Sequence, residues 1–299
     1  MLCKSDKPSI IIIIIIIHYL LTSEALSIHG SNQRAPLTSS QLRHVWHTVW
    51  TKLDKAYFAK YEKFESFLPL QKSWKWEGKD FPRIPAMLDF ASWAVKYNFS
   101  SLDRVMKTTF EPELEFFNPK TIVLYPFQGH NHIGDLHLPI NVTRIGGQFD
   151  LILLGQTFEH LYNPFLAAVN LYDALVPGGF LYANVPFINF PHMTPYHYMQ
   201  FTLDGFACML FQCGFEIVEV GQWGNQEYVQ YIGKQIWADY TNLMHNGSII
   251  NQKMMPVQVW VLVRKPKGGE ERRYEHGGER HEHKHLHAHT HMNTSTVLD

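Results

Sequence analysis

The chain is 299 residues long, 45% hydrophobic and 18% charged, enough apolar material for one sizeable core. Lysine plus arginine (26) nearly cancels aspartate plus glutamate (27), which excludes the broad positive field that a nucleic-acid backbone requires and leaves no acidic excess for a polycation. Cys3, Cys208 and Cys213 are too few for a disulfide-built scaffold, and the spacing of the last two across a helix end favours two thiols over a bridge.

At the N-terminus, Lys4 and Lys7 precede an apolar run from Ile10 to Leu21, interrupted only by His18 and Tyr19, and Ser23-Glu24-Ala25 follows. A charged n-region, an apolar h-region too short to span a bilayer and small residues at a cleavage position predict a signal peptide over residues 1–25. The protein is then expected in the endoplasmic reticulum or Golgi lumen, or secreted. Two alternatives stand beside this. An uncleaved anchor would tie the chain to a membrane, and the isoleucine run Ile10–Ile17 also has the β propensity of a buried strand. Sequons at Asn98, Asn141, Asn246 and Asn293 agree with luminal exposure.

From Ser39 to about Phe67, Leu42, Val45, Trp46, Val49, Trp50, Leu53, Tyr57 and Phe58 recur at helical spacing, with Thr38 to Ser40 as N-cap candidates and Pro69 as a stop. Trp74 to Pro85 reads as a connector, and Pro85 to Tyr97 as a second helix, so that residues 26–97 form an N-terminal helical extension. After Asn98 short apolar runs alternate with helical ones, the pattern of an α/β sheet with crossover helices. Strands are expected at Leu102–Met106, Thr121–Tyr125, Phe149–Leu154, Gly179–Val185, Phe215–Val220 and Val257–Val263. Helices are expected at Pro164–Leu175, Thr202–Cys213 and Gln226–Tyr240. This α/β domain spans residues 98–265, and residues 266–299 form a polar, His-rich tail expected to be disordered.

The central segment is Gln148-Phe149-Asp150-Leu151-Ile152-Leu153-Leu154-Gly155-Gln156-Thr157-Phe158-Glu159-His160-Leu161, followed by a helix and then Leu175-Val176-Pro177-Gly178-Gly179. It reads as a buried strand, a polar loop at its carboxyl end, a helix and a glycine turn into a second strand. Ligands of open parallel sheets lie beyond the carboxyl ends of strands, which brings Gln156, Glu159 and His160 forward as site candidates. The segment resembles the fourth and fifth strands of class I S-adenosylmethionine-dependent methyltransferases, with their acid-His-Leu loop and Pro-Gly-Gly turn. The similarity continues through Val185-Pro186-Phe187, His192, Pro195, Tyr198, Phe201-Thr202 and Cys213-Gly214-Phe215, as in type 11-like members.

The resemblance implies a Rossmann-like methyltransferase fold: a mostly parallel sheet with an antiparallel last strand and helices on both faces. It implies S-adenosylmethionine as cofactor, with Asp135, Gln156 and Glu159 as binding candidates. It also implies a general base among His160, His192 and His197, acting on a small-molecule, glycan or protein substrate. The sequence departs from that family in three places. No glycine stands between Lys107 and Pro112, where the first loop passes the cofactor, and Thr121 to Tyr125 ends in Pro126-Phe127 instead of the acid that holds the ribose. His197 and Gln200 occupy positions where an acid and an arginine are expected. A methyltransferase of the secretory pathway and a non-catalytic binding protein of the same fold are therefore both open. For His192 and His197, loop residues satisfied by backbone groups are the alternative to a catalytic role.

Two histidine groups raise a metal-binding alternative. His130, His132 and His137 have a plausible ligand spacing but miss the common metallohydrolase pattern. His281, His283, His285, His287, His289 and His291, with His276 upstream, alternate with other residues in the tail, where they would chelate zinc or another divalent metal without any fold.

Overall fold

The computed structural model describes residues 36–59, 74–76, 79–81, 85–108, 112–124, 135–189, 191, 197–233 and 250–268. The expected signal segment 1–25, the sequons at Asn246 and Asn293, the tail histidines, and His130, His132 and His192 lie outside the described residues.

Helix α1 (Ser39–Lys52) starts on a capping box: the Thr38 hydroxyl accepts from the Gln41 N–H at 3.2 Å and the Gln41 side chain accepts from the Thr38 N–H at 2.8 Å. The helix expected to run on to Phe67 breaks at Leu53, because Asp54 accepts from the Tyr57 N–H at 2.8 Å and opens a separate turn, α2 (Lys55–Ala59). The expected connector contains a hairpin instead, β1 (Trp74–Trp76) paired antiparallel with β2 (Lys79–Phe81). Tryptophan alternating with lysine, then two residues including Gly78, is a hairpin pattern that the polar composition had masked. Helix α3 (Pro85–Lys96) follows and buries Ala86, Phe90, Trp93 and Ala94.

The main sheet comprises β3 (Arg104–Lys107), β4 (Thr121–Leu124), β5 (Phe149–Gly155), β6 (Leu175–Pro186), β7 (Glu216–Trp223) and β8 (Gln258–Arg264) in the order β4-β3-β5-β6-β8-β7. The first four are mutually parallel, and β8 runs antiparallel between β6 and β7. The expected antiparallel closing pair is thus present. Helices α4 (Pro164–Ala174), α5 (Leu203–Gln212) and α6 (Gln226–Gly233) complete the fold. The part of the expected last helix beyond Gly233 lies outside the described residues. Along β6, Phe180, Tyr182 and Asn184 share one face and Leu181, Ala183 and Val185 the other, and all six are buried, so both faces of the sheet are covered.

The helices before residue 98 belong to the same compact unit as the sheet, which extends to Lys267. Phe90 of α3 meets Tyr182 at 4.7 Å between ring centroids. The buried Asp89 carboxyl ties three elements together, accepting from the Tyr57 hydroxyl at 3.1 Å and from the Trp260 indole N–H at 3.0 Å. The same Tyr57 oxygen accepts from the Gln222 N–H at 2.9 Å. Asp89→Ala strands the buried Trp260 indole N–H, while the Tyr57 hydroxyl keeps the Gln222 carbonyl at 3.2 Å as acceptor, and is expected to cost about 2 kcal/mol, read as a lowered urea midpoint with an unchanged slope. A variant within about 0.5 kcal/mol of the parent would remove this junction from the account of stability.

Cys208 is half-buried on α5, Cys213 is buried at its end, and no disulfide joins them. The Cys213 thiol lies 3.7 Å from the carbonyl of Phe165. Among the described residues no helix is long and apolar enough to cross a membrane.

Candidate functional site

Strand β5 carries the chain to the carboxyl edge of the sheet, next to β3 on one side and β6 on the other. The order of the strands reverses there: β3 leads outward to β4, whereas β5 leads to β6 on the opposite side. In open α/β sheets this switch point is where ligands bind.

Gln156 leaves β5 with φ of 48°, a left-handed conformation unfavourable for a residue with a long side chain. It is held there by Asn184, whose backbone oxygen accepts from the Gln156 N–H at 2.9 Å and whose side-chain oxygen accepts from the Gln156 amide at 2.8 Å. Asn184 is a buried hub: it also accepts from Gln258 at 3.2 Å and donates to Glu113 at 3.3 Å. Glu113 belongs to the single-turn 3-10 segment Pro112–Phe116 that follows the β3 loop. The hub was detectable as an asparagine inside the apolar run of β6; its partners, distant in sequence, were not.

Thr157 comes next and is fully buried, its hydroxyl hydrogen-bonded to that of Thr108 at 3.2 Å. Thr108 follows the last residue of β3, its N–H donates to the Leu153 carbonyl at 3.3 Å, and it is 2% exposed. A pair of threonine side chains therefore bridges the ends of β3 and β5.

The 3-10 turn Phe158–His160 then buries Glu159 and His160 side by side. The Glu159 carboxyl is fully buried, and neither oxygen has a hydrogen-bond partner among the described residues. The His160 Nε2 is 3.7 Å from Glu159 Oε1, close enough for electrostatic influence but beyond hydrogen-bond reach. Burial pushes the Glu159 carboxyl up from 4.5 to about 8, so it is mostly protonated at neutral pH. The segment after residue 196 folds back over this turn, with the Tyr198 N–H donating to the Glu159 carbonyl at 2.8 Å. That return brings the His197 ring 5.8 Å from the His160 ring, centroid to centroid. Two of the three base candidates thus meet beside a buried acid. Gln200 has a structural role, its amide donating to the Asn189 carbonyl at 2.6 Å and its oxygen accepting from the Asn189 N–H at 3.3 Å.

Asp135 is engaged locally. It accepts from the His137 backbone N–H at 2.9 Å and pairs with His137 Nδ1 at 2.7 Å. The His137 ring stacks on Tyr162 at 3.8 Å, and its Nε2 accepts from the Asn163 N–H at 3.3 Å. Among the described residues no group of three or more His, Cys, Asp or Glu is placed to hold a metal ion.

The resemblance implies S-adenosylmethionine as cofactor, and the described residues show where each of its candidate ligands stands. At the end of β3 the buried Thr108 stands in contact with Thr157. Of the three binding candidates, Asp135 is taken by His137, Gln156 by Asn184, and Glu159 is closed off from solvent.

No family model matches the sequence, and no curated protein matches it. Among solved structures the chain is similar to the [4+2]-cyclase SpnF, at 13% identity and a TM-score of 0.43, covering 71% of this chain and 97% of that one. It is also similar to a SAM dependent methyltransferase from Archaeoglobus fulgidus, at 13% identity and a TM-score of 0.38, covering 60% and 94%. A third is the N-methyltransferase NodS from Bradyrhizobium japonicum, at 11% identity and a TM-score of 0.38, covering 61% and 98%. The architecture is identified by the strand order, with β8 antiparallel between β6 and β7. The chain has the class I S-adenosylmethionine-dependent methyltransferase fold.

Proposed function

We propose that this protein uses the methyltransferase fold without the methyl donor, as a binding protein of the secretory pathway. The observation that carries this reading is the hydroxyl contact between Thr108 and Thr157, which ties the ends of β3 and β5 together at the switch point. Secretory targeting rests on Lys4, Lys7 and the apolar run that follows them. Beside the Glu159 turn, Tyr162 and Tyr198 are exposed, an aromatic surface suited to stacking and hydrogen bonding with a polar ligand.

A second reading, methyl transfer from S-adenosylmethionine, draws on the Glu159, His160 and His197 cluster. A buried acid beside two imidazoles is a familiar basis for proton transfer, and His160 or His197 would hold the proton. Thermal unfolding separates the two. A donor bound with a Kd of about 10 μM would, at about 1 mM, stabilise the folded state by about 2.7 kcal/mol and raise the melting temperature by several degrees. The expected result is no shift with S-adenosylmethionine or its demethylated product. A concentration-dependent rise would return the protein to the enzymes.

A further inference from the structure

We infer that Asn98 and Asn141 are N-glycan acceptors, and that the two glycans project from the edge of the sheet opposite the candidate site. The inference rests on the secretory reading above and adds to it which residues are modified and which face they occupy.

Both asparagines are exposed. Asn98 follows the end of α3 at φ of 54°, a left-handed turn position that asparagine tolerates better than most residues. Its side-chain oxygen accepts from the hydroxyl of Ser100, the third residue of its own sequon, at 2.8 Å, and its backbone oxygen accepts from Ser101. Phe99, the middle residue, is fully buried and anchors the turn. The amide nitrogen Nδ2 is left without a hydrogen-bond partner among the described residues. Asn141 opens the turn before β5, where its side-chain oxygen accepts from the Arg144 N–H at 3.0 Å and its Nδ2 is likewise unbonded among the described residues. Thr143, the hydroxyl residue of this sequon, is exposed. Neither nitrogen gives up a native contact when it is substituted, so the folded domain accommodates both glycans unchanged.

The topology places the two on one edge. Asn98 precedes β3 by a single 3-10 turn, Phe99–Ser101. The turn containing Asn141 is docked on the first residue of β3, since Arg104 donates to the carbonyls of Ile145 at 2.7 Å and Gln148 at 3.1 Å. Strands β3 and β5 are parallel neighbours, so both sequons lie at their amino ends. The switch point, with Thr108, Thr157 and Glu159, lies at their carboxyl ends. A glycan on each asparagine would cover one edge of the sheet and leave the other open to a ligand.

In the reaction, the asparagine Nδ2 attacks the anomeric carbon of a lipid-diphosphate-linked oligosaccharide. The N–C glycosidic bond forms, the C–O bond to the diphosphate breaks, the lipid diphosphate leaves, and Nδ2 gives up one proton.

The test is expression of the full chain in a eukaryotic secretory host, with peptide-N-glycosidase digestion of the parent, Asn98→Gln, Asn141→Gln and the double variant. Luminal location is read separately by protease protection in sealed microsomes. Each single variant is expected to lose one glycan's mobility step and the double variant two, with all chains protected. A protected parent whose mobility is unchanged by both substitutions would overturn the acceptor assignment and leave secretory targeting intact. A parent digested outside the microsomes would overturn both.

Discussion

Gly221→Ala is expected to destabilise the fold by several kcal/mol, about 2–6. Gly221 lies on β7 opposite Trp260 of β8, and a Cβ added there would overlap the indole Nε1 and Cε2 and come within 2.7 Å of the Tyr57 hydroxyl. These atoms cannot yield cheaply, because Trp260 is fully buried and its N–H is committed to Asp89, which also holds Tyr57. Overpacking alone costs about 1–3 kcal/mol, and the displaced indole hydrogen bond adds about 1–3 kcal/mol more. The sum, about 2–6 kcal/mol, reaches the lower end of a typical domain's stability of about 5–15 kcal/mol. Urea unfolding followed by near-ultraviolet circular dichroism reads the loss. Trp260→Phe, which removes the clashing atoms, is expected to recover part of it in the double variant, so the two effects are strongly non-additive. A Gly221→Ala protein within about 1 kcal/mol of the parent would contradict this packing.

Glu159 is expected to make the folded state lose stability as pH rises. Its carboxyl titrates near 4.5 when exposed and at about 8 when buried in the fold. Between those values the folded state binds more protons than the unfolded state, so stability falls with pH, by up to about 1.4 kcal/mol per unit. The contribution is fully present below the lower value and lost as pH passes the upper one. His160 lies 3.7 Å from this carboxyl and the His197 ring packs beside His160, so the informative quantity is the difference between parent and Glu159→Gln. That difference is expected to be small near pH 5 and to favour the variant above pH 8 by a few kcal/mol. Parallel stability curves for the two proteins across this range would mean that the carboxyl is not held neutral by burial.

The parts of this fold legible in the sequence were those set by local chemistry. Strand β5 and the turn at Gly178, with φ of 84°, follow from an apolar run and a glycine that only a left-handed turn requires. The start of α5 follows from Thr202, whose hydroxyl accepts from the Gly205 N–H at 3.0 Å. The acid-His turn after β5 was visible for the same reason. The break at Asp54 carried a readable signal, an aspartate three residues before the N–H that it caps, but helical periodicity continuing through it concealed the stop.

What stayed hidden depends on partners distant in the chain. Asp89 in α3 looks like an ordinary surface aspartate until Trp260 reaches it from 171 residues away. Asn184 and Glu113 are 71 residues apart, and their bond exists only because the fold brings Pro112–Phe116 within reach of β6. The meeting of His160 and His197 depends on the return of the loop to the Glu159 carbonyl, which no spacing rule encodes. The missing glycine after β3 was readable at once. Its consequence, a hydroxyl pair spanning two strand ends, required the register of β3 against β5.

The proposal that this fold works without the methyl donor is tested most directly by titration calorimetry of the full chain with S-adenosylmethionine, beside Thr108→Gly/Thr157→Ala, which removes the hydroxyl contact. The parent is expected to give only dilution heat at millimolar donor. A saturable isotherm of one donor per parent chain would contradict it.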